Sequence, residues 1–163
     1  MNNNIKQIDL FELNAAAEVI RASFATVAKE FGITEQNCPN HTSFITVEKL
    51  QNHFNWGWLM YGLYDSSGER LIGYVSLSKT SGEVFELHNL SVLPEYRHNG
   101  YGKQLLDFCK ERVKESGGRK ITLGMIEENT VLKDWYAANG FIHTGAKWFK
   151  HLPFTVGFME CDM

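Results

Sequence analysis

Leu90-Ser91-Val92-Leu93-Pro94-Glu95-Tyr96-Arg97-His98-Asn99-Gly100-Tyr101-Gly102 carries the most information in this 163-residue chain. Within it a strand ends, a loop turns and a helix begins. Pro94 has no N–H to give a ladder and stops the strand. The first N–H groups of a helix have no internal partners, and its dipole favours an anion there. Gly100 and Gly102 lack Cβ, so their backbone amides can closely approach a phosphate. Arg97 adds a fork of donors. A Walker loop would need a glycine where Arg97 stands and a Ser or Thr where Gln104 stands. A dinucleotide fingerprint would need a third glycine at Leu105. Neither applies.

Working outward, Val84 to Val92 reads as the strand before the loop. Tyr101 to Glu115 reads as an amphipathic helix with Leu105, Leu106, Phe108, Cys109 and Val113 on its buried side, ended by Gly117-Gly118. Ile121 to Ile126 reads as the next strand. This β-α-β unit predicts parallel strands with a right-handed crossover. Upstream, a strand over Ile5 to Leu10, a helix over Phe11 to Phe31 and a Thr46-capped helix over Val47 to Phe54 are expected. Trp58 to Tyr64 and Leu71 to Ser78 read as a hairpin about Asp65 to Gly68. Downstream come a helix over Thr130 to Asn139 and strands over Phe141 to Phe149 and Phe154 to Cys161. The expected fold is α+β: one mixed sheet flanked by helices, in a single domain over residues 1–163.

Composition bounds the function. A net charge of −3 gives no electrostatic case for nucleic acid. No apolar run approaches the ~20 residues needed to span a bilayer, and Met1 to Asn4 has no apolar signal core. The three cysteines, Cys38, Cys109 and Cys161, lack Cys-x-x-Cys spacing, which argues against a metal knuckle or a disulfide framework. Free thiols fit a cytoplasmic setting.

Val92-Leu93-Pro94 followed by Arg97-His98-Asn99-Gly100-Tyr101-Gly102 resembles the signature of the GNAT superfamily of N-acyltransferases. A second family motif is matched by Asn129, Leu132, Tyr136, Gly140 and Phe141, with Leu132 where the family usually has Ala. The resemblance implies a three-layer fold. Its central mixed, mostly antiparallel sheet would have about seven strands, with about four helices and with parallel strands 4 and 5 splayed apart. It implies acetyl-CoA as acyl donor. The pyrophosphate would lie on the amides of His98, Asn99, Gly100, Tyr101 and Gly102, with Arg97 beside them. The pantetheine arm would pair with Leu90, Ser91 and Val92, Asn129 would hydrogen-bond the arm, and Tyr136 would sit near the sulfur. The acceptor would be the amine of a small molecule or a peptide. A homodimer is allowed by the resemblance but not specified.

The chemistry selects further candidates. Attack on a thioester requires a neutral amine, so a base is the first need. Glu86 and His88 share a strand face by spacing. Glu86 also matches the catalytic Glu of the histone-acetylating branch of the family. Glu86 reads as base, water-positioning group or merely solvated carboxylate. His88 reads as base or core imidazole, and relay through water is a third route. Tyr136 is the candidate acid or hydrogen-bond donor for the departing thiolate, against a plain core aromatic. The backbone amide of Val92 or Leu90 is the expected oxyanion donor. Trp56, Trp58 and Phe54 read as core aromatics or as acceptor-pocket lining. Gln36 to Thr42 and Lys150 to Pro153 sit where the family shapes its cleft. A non-catalytic acyl-CoA sensor, and a protein N-terminal or lysine acetyltransferase, are the competing readings.

Overall fold

The computed structural model describes residues 4–163. Its strands are β1 (Ile5–Gln7), β2 (Leu59–Tyr64), β3 (Leu71–Ser81), β4 (Val84–Val92), β5 (Lys120–Ile126), β6 (Ile142–Trp148) and β7 (Thr155–Asp162). The long helices are α1 (Leu13–Glu30), α2 (Val47–Asn55), α3 (Tyr101–Glu115) and α4 (Thr130–Ala138). The sheet order is β1-β2-β3-β4-β5-β7-β6. Among the described residues, only β4 and β5 run parallel; every other neighbouring pair is antiparallel.

The first strand is shorter than its sequence pattern suggests. Asp9 and Glu12 close a capping box around a 3₁₀ turn over Leu10–Glu12, which takes the chain out of the sheet. α2 begins as expected, with the Thr46 hydroxyl accepting from the Lys49 N–H at 3.1 Å. β3 runs beyond Ser78 because its polar end continues to pair with β4, Ser81 facing Val84.

Successive residues of β4 point to opposite faces. Phe85 packs towards Gly118 at the end of α3, whereas His88 stacks on Trp58, which in turn stacks on His53 of α2. α2 and α3 therefore cover opposite faces of the sheet. Leu13, Ile20, Leu50, Tyr74, Leu77, Leu105, Leu106 and Ile121 are fully buried and fill the main core. Burying a side chain of this kind contributes about 1.5–3 kcal/mol. A smaller cluster of Ala28, Ile33, Cys38 and Ile126 receives Phe44, Leu152 and Phe154. It pins the irregular 33–44 segment and the β6–β7 connection to one end of the cleft described next.

Candidate functional site

The cleft begins where the sheet comes apart. β4 and β5 pair only through Val84 with Lys120, Phe85 with Ile121 and Glu86 with Thr122. Beyond those residues the two strands splay. A bulge in β4 accompanies the opening: Tyr74 faces Ser91 and Ser76 faces His88, so Val75 lies opposite both Asn89 and Leu90. Asn89 takes a left-handed φ of 56°, a conformation Asn tolerates better than most residues. The Ser91 hydroxyl donates to the Asn89 carbonyl at 2.7 Å, and Ser91 is 1% exposed. Its side chain thus serves the bulge and is turned away from the cleft. The Leu93 N–H bonds the Ile72 carbonyl on the β3 side. Alternation along the strand then turns the Val92 N–H towards the gap.

On one side of the gap lies a cavity of about 370 Å³, whose walls include Leu90, Asn129, Leu132 and Tyr136. Asn129 caps α4, its Oδ1 accepting from the Leu132 N–H at 3.2 Å. That leaves its amide NH₂ as the group with which it can donate to a ligand. Tyr136 is 6% exposed, and burial holds its phenol above the usual range. The N-terminus of α3 lies against α4, next to Trp135. Gly100 has φ 80°, which lets the chain turn directly into the helix, and His98 is left-handed at 64°. Gln104 is the first residue whose N–H returns to a backbone carbonyl of this turn, that of Gly100. The amides before it emerge at the helix end. Asn99 fixes the loop by donating to the carbonyls of Tyr96 and Arg97, both at 3.0 Å. Gly102 is small for a packing reason as well: a Cβ there would stand 3.4 Å from the Trp135 ring.

Arg97 departs from expectation. Its guanidinium donates to the Ser23 carbonyl at 2.8 Å, the Ser23 hydroxyl at 3.3 Å and the Thr26 hydroxyl at 3.1 Å. The side chain is committed to α1 and docks the loop there.

On the other side lies a cavity of about 420 Å³, with Glu86, His88, Thr144 and Glu160 in its walls. The two cavities share Phe24, Thr42, Leu87, Asn89, Leu123 and Gly124. The structure therefore does bring Glu86 and His88 together near Asn129 and Tyr136, across one divide. Glu86 Oε2 is 3.5 Å from His88 Nε2, which is 2.8 Å from Ser78 Oγ. Burial raises the Glu86 pKa, making the carboxylate a stronger base. Burial, and secondarily His53, pulls His88 down to about 4.

Phe54, Trp56 and Trp58 line neither cavity. Trp56 is 66% exposed, and Trp58 backs the site by stacking on His88. Of the segments expected to shape the cleft, His41, Thr42 and Leu152 reach it. Cys109 is wholly buried as packing. Asn89, Ser78 and Glu160 escaped the sequence reading. No local sequence signal marks Asn89, which the bulge places, and for the other two only the sheet register reveals the contact.

The sequence model of the Acetyltransferase (GNAT) family matches residues 26–141. Two curated relatives align in part. Histone acetyltransferase esa1 of Emericella nidulans is 42% identical over 53 residues, 32% of this chain and 10% of that protein. An uncharacterized N-acetyltransferase of Bacillus licheniformis is 33% identical over 92 residues, 50% of this chain and 54% of that one. The chain thus spans about half or less of these relatives. Among solved structures, the PaiA N-acetyltransferase of Thermoplasma acidophilum, in complex with coenzyme A, superimposes with a TM-score of 0.79. It is 26% identical, with 98% of each chain covered. With its splayed β4 and β5, its bulge and the glycine loop before α3, this chain belongs to the GNAT acetyltransferase family.

Proposed function

We propose that the protein is an acetyl-CoA-dependent N-acetyltransferase that acetylates a primary amine of a small molecule by direct attack in a ternary complex. The observation that carries the reading is the meeting of two cavities at the β4–β5 opening. One is walled by Asn129 and Tyr136, the other by Glu86 and His88.

The donor's pyrophosphate sits on the helix-end amides of His98 to Gly102, where backbone N–H groups and the dipole favour phosphate. The similar Thermoplasma acidophilum protein, with coenzyme A bound, supports a donor of this class. The arm runs along β4 as an added strand, taking the Val92 N–H, and Asn129 donates to it. The thioester then arrives between the cavities, near Asn89 and Tyr136. The acceptor enters beside Glu86 as an ammonium and loses a proton to the Glu86–His88 side. Its nitrogen attacks the thioester carbon, the Leu90 N–H stabilises the oxyanion, and the C–S bond breaks as Tyr136 hydrogen-bonds the departing sulfur. A cavity of about 420 Å³ suits a small ligand, which favours a small amine over a peptide. The three free cysteines, all buried, fit work in the cytoplasm.

The test is release of CoA thiol from acetyl-CoA across small amines, polyamines, amino acids and peptides. Amine-dependent release is expected. Donor binding by calorimetry without release for any acceptor would support a non-catalytic sensor instead, and release with peptides alone would make it a protein acetyltransferase.

A further inference from the structure

We propose that Glu86 and His88 receive the acceptor's proton as one dyad, with Ser78 and Trp58 as the residues that position it. The proposal rests on the acetyltransfer reading above and names how its base is built.

The ladder sets the arrangement. Ser78 on β3 lies directly opposite Glu86 on β4, and His88 stands two residues further along β4 on the same face. His88 Nε2 consequently meets both the Ser78 hydroxyl at 2.8 Å and Glu86 Oε2 at 3.5 Å. The imidazole is fixed from behind. Trp58 stacks on His88 with centroids 4.1 Å apart and on His53 with centroids 3.8 Å apart, each at 15°. Two rings that close to one indole can only lie on its opposite faces, so Trp58 is sandwiched between two imidazoles. His53 is 3% exposed and its Nδ1 has no hydrogen-bond partner, so the inner end of the stack has little room to gain a proton.

The step balances with one proton. The ammonium N–H bond breaks, an O–H bond forms on Glu86, and the lone pair stays on nitrogen for the attack. The proton is then shared between Glu86 Oε2 and His88 Nε2: carboxylic acid beside neutral imidazole, or carboxylate beside imidazolium. The Ser78 hydroxyl serves both forms, donating to a bare Nε2 and accepting from a protonated one. The pair goes from net charge −1 to 0 and returns the proton to solvent in the acceptor cavity. The titratable groups around it are His53 on α2, with Lys49 near it, and Glu160 on β7 in the wall of the same cavity, held by Lys120 at 3.1 Å.

The test uses the full chain and two readouts. NMR of labelled histidine and glutamate side chains should show Glu86 and His88 sharing the same titration steps, because strongly interacting groups titrate as a pair. Either single variant, Glu86→Gln or His88→Gln, should reduce this to one simple step. In thiol release, kcat/KM of the double variant should be no lower than that of the worse single one. Folded Trp58→Leu frees the imidazoles to protonate, so the acid limb of the pH profile should move to higher pH, whereas Trp58→Phe should keep it. Ser78→Ala should also move the limb, and Ser78→Thr should restore it. Independent titrations in the wild type, or single losses that multiply in the double variant, would overturn the dyad. An acid limb unmoved in folded Trp58→Leu and Ser78→Ala would overturn the positioning roles. The NMR experiment needs no turnover, so a protein that releases no thiol would sink the activity reading separately.

Discussion

Removing a proton from a primary amine of pKa near 10.4 costs roughly 4–5 kcal/mol at neutral pH. On the proposed mechanism that demand falls on the Glu86–His88 dyad and should scale with the acceptor. The Glu86→Gln loss in kcat/KM is expected to be large for a strongly basic amine and to shrink for one already neutral at working pH. Tyr136 faces a different demand. An ordinary phenol protonating a thiolate is already uphill by about 2 kcal/mol, and burial of Tyr136 widens the gap. On the proposed mechanism it therefore serves as a hydrogen-bond donor to the sulfur rather than as a full acid. Tyr136→Phe should cost about 10- to 100-fold, the worth of a bond to a charged group, and equally for both acceptors. Profiles of kcat/KM against pH with two amines of different pKa measure both. A Tyr136→Phe loss that follows acceptor pKa would move Tyr136 to the deprotonation step. At this scale Glu86, His88, Asn129 and Tyr136 were legible because motif and strand spacing name them. Asn89 was not: a bulge in this strand is expected from the family resemblance, but strand alternation does not fix which residue it turns into the cleft, here Asn89 with φ 56°.

Helix α3 was readable to its ends because Gly100 and Gly117 bracket one amphipathic run. Where local chemistry was weaker, elements shifted by a few residues. Asp9 and Glu12 cut β1 short, and cross-strand pairing carried polar β3 on to Ser81. The destination of Arg97 was beyond any local rule, since Ser23 and Thr26 are distant in sequence and meet it only in the fold. Its role yields a prediction about loop and helix together. Arg97→Ala should weaken acetyl-CoA binding about tenfold by loosening the loop from α1, equivalent to about 1.4 kcal/mol. The salt dependence of Kd should stay unchanged, because the guanidinium bonds neutral groups rather than phosphate. Calorimetry at two salt concentrations decides. A flatter salt dependence in the variant would place the charge on the pyrophosphate after all.

Across the whole molecule, His53 and His88 set an acid limit on stability. Both have folded pKa values of about 4, lowered first by burial, against an ordinary 6.5. Between those values the unfolded chain binds more protons, so stability rises with pH. Their contribution is fully present above pH 6.5 and fades as pH falls towards 4. Glu86, raised by burial, acts in the opposite sense just above its ordinary value. Melting curves through this range should show Tm falling on acidification, with a shallower fall in His53→Leu; an unchanged slope would refute the assignment. The opening of the sheet has a larger consequence. Three residue pairs join β1–β4 to β5–β7 across the β4–β5 seam, and past Glu86 no strand among the described residues pairs with β4 on that side. A donor whose amide-bearing arm lies in that seam becomes a structural member of the protein it visits. Each turnover then removes and restores an eighth, non-covalent strand, tying the rigidity of the two halves to cofactor occupancy. Amide hydrogen exchange should register this as slowed exchange at Val92 when acetyl-CoA is bound, and equal rates with and without it would show that the arm does not bridge the seam.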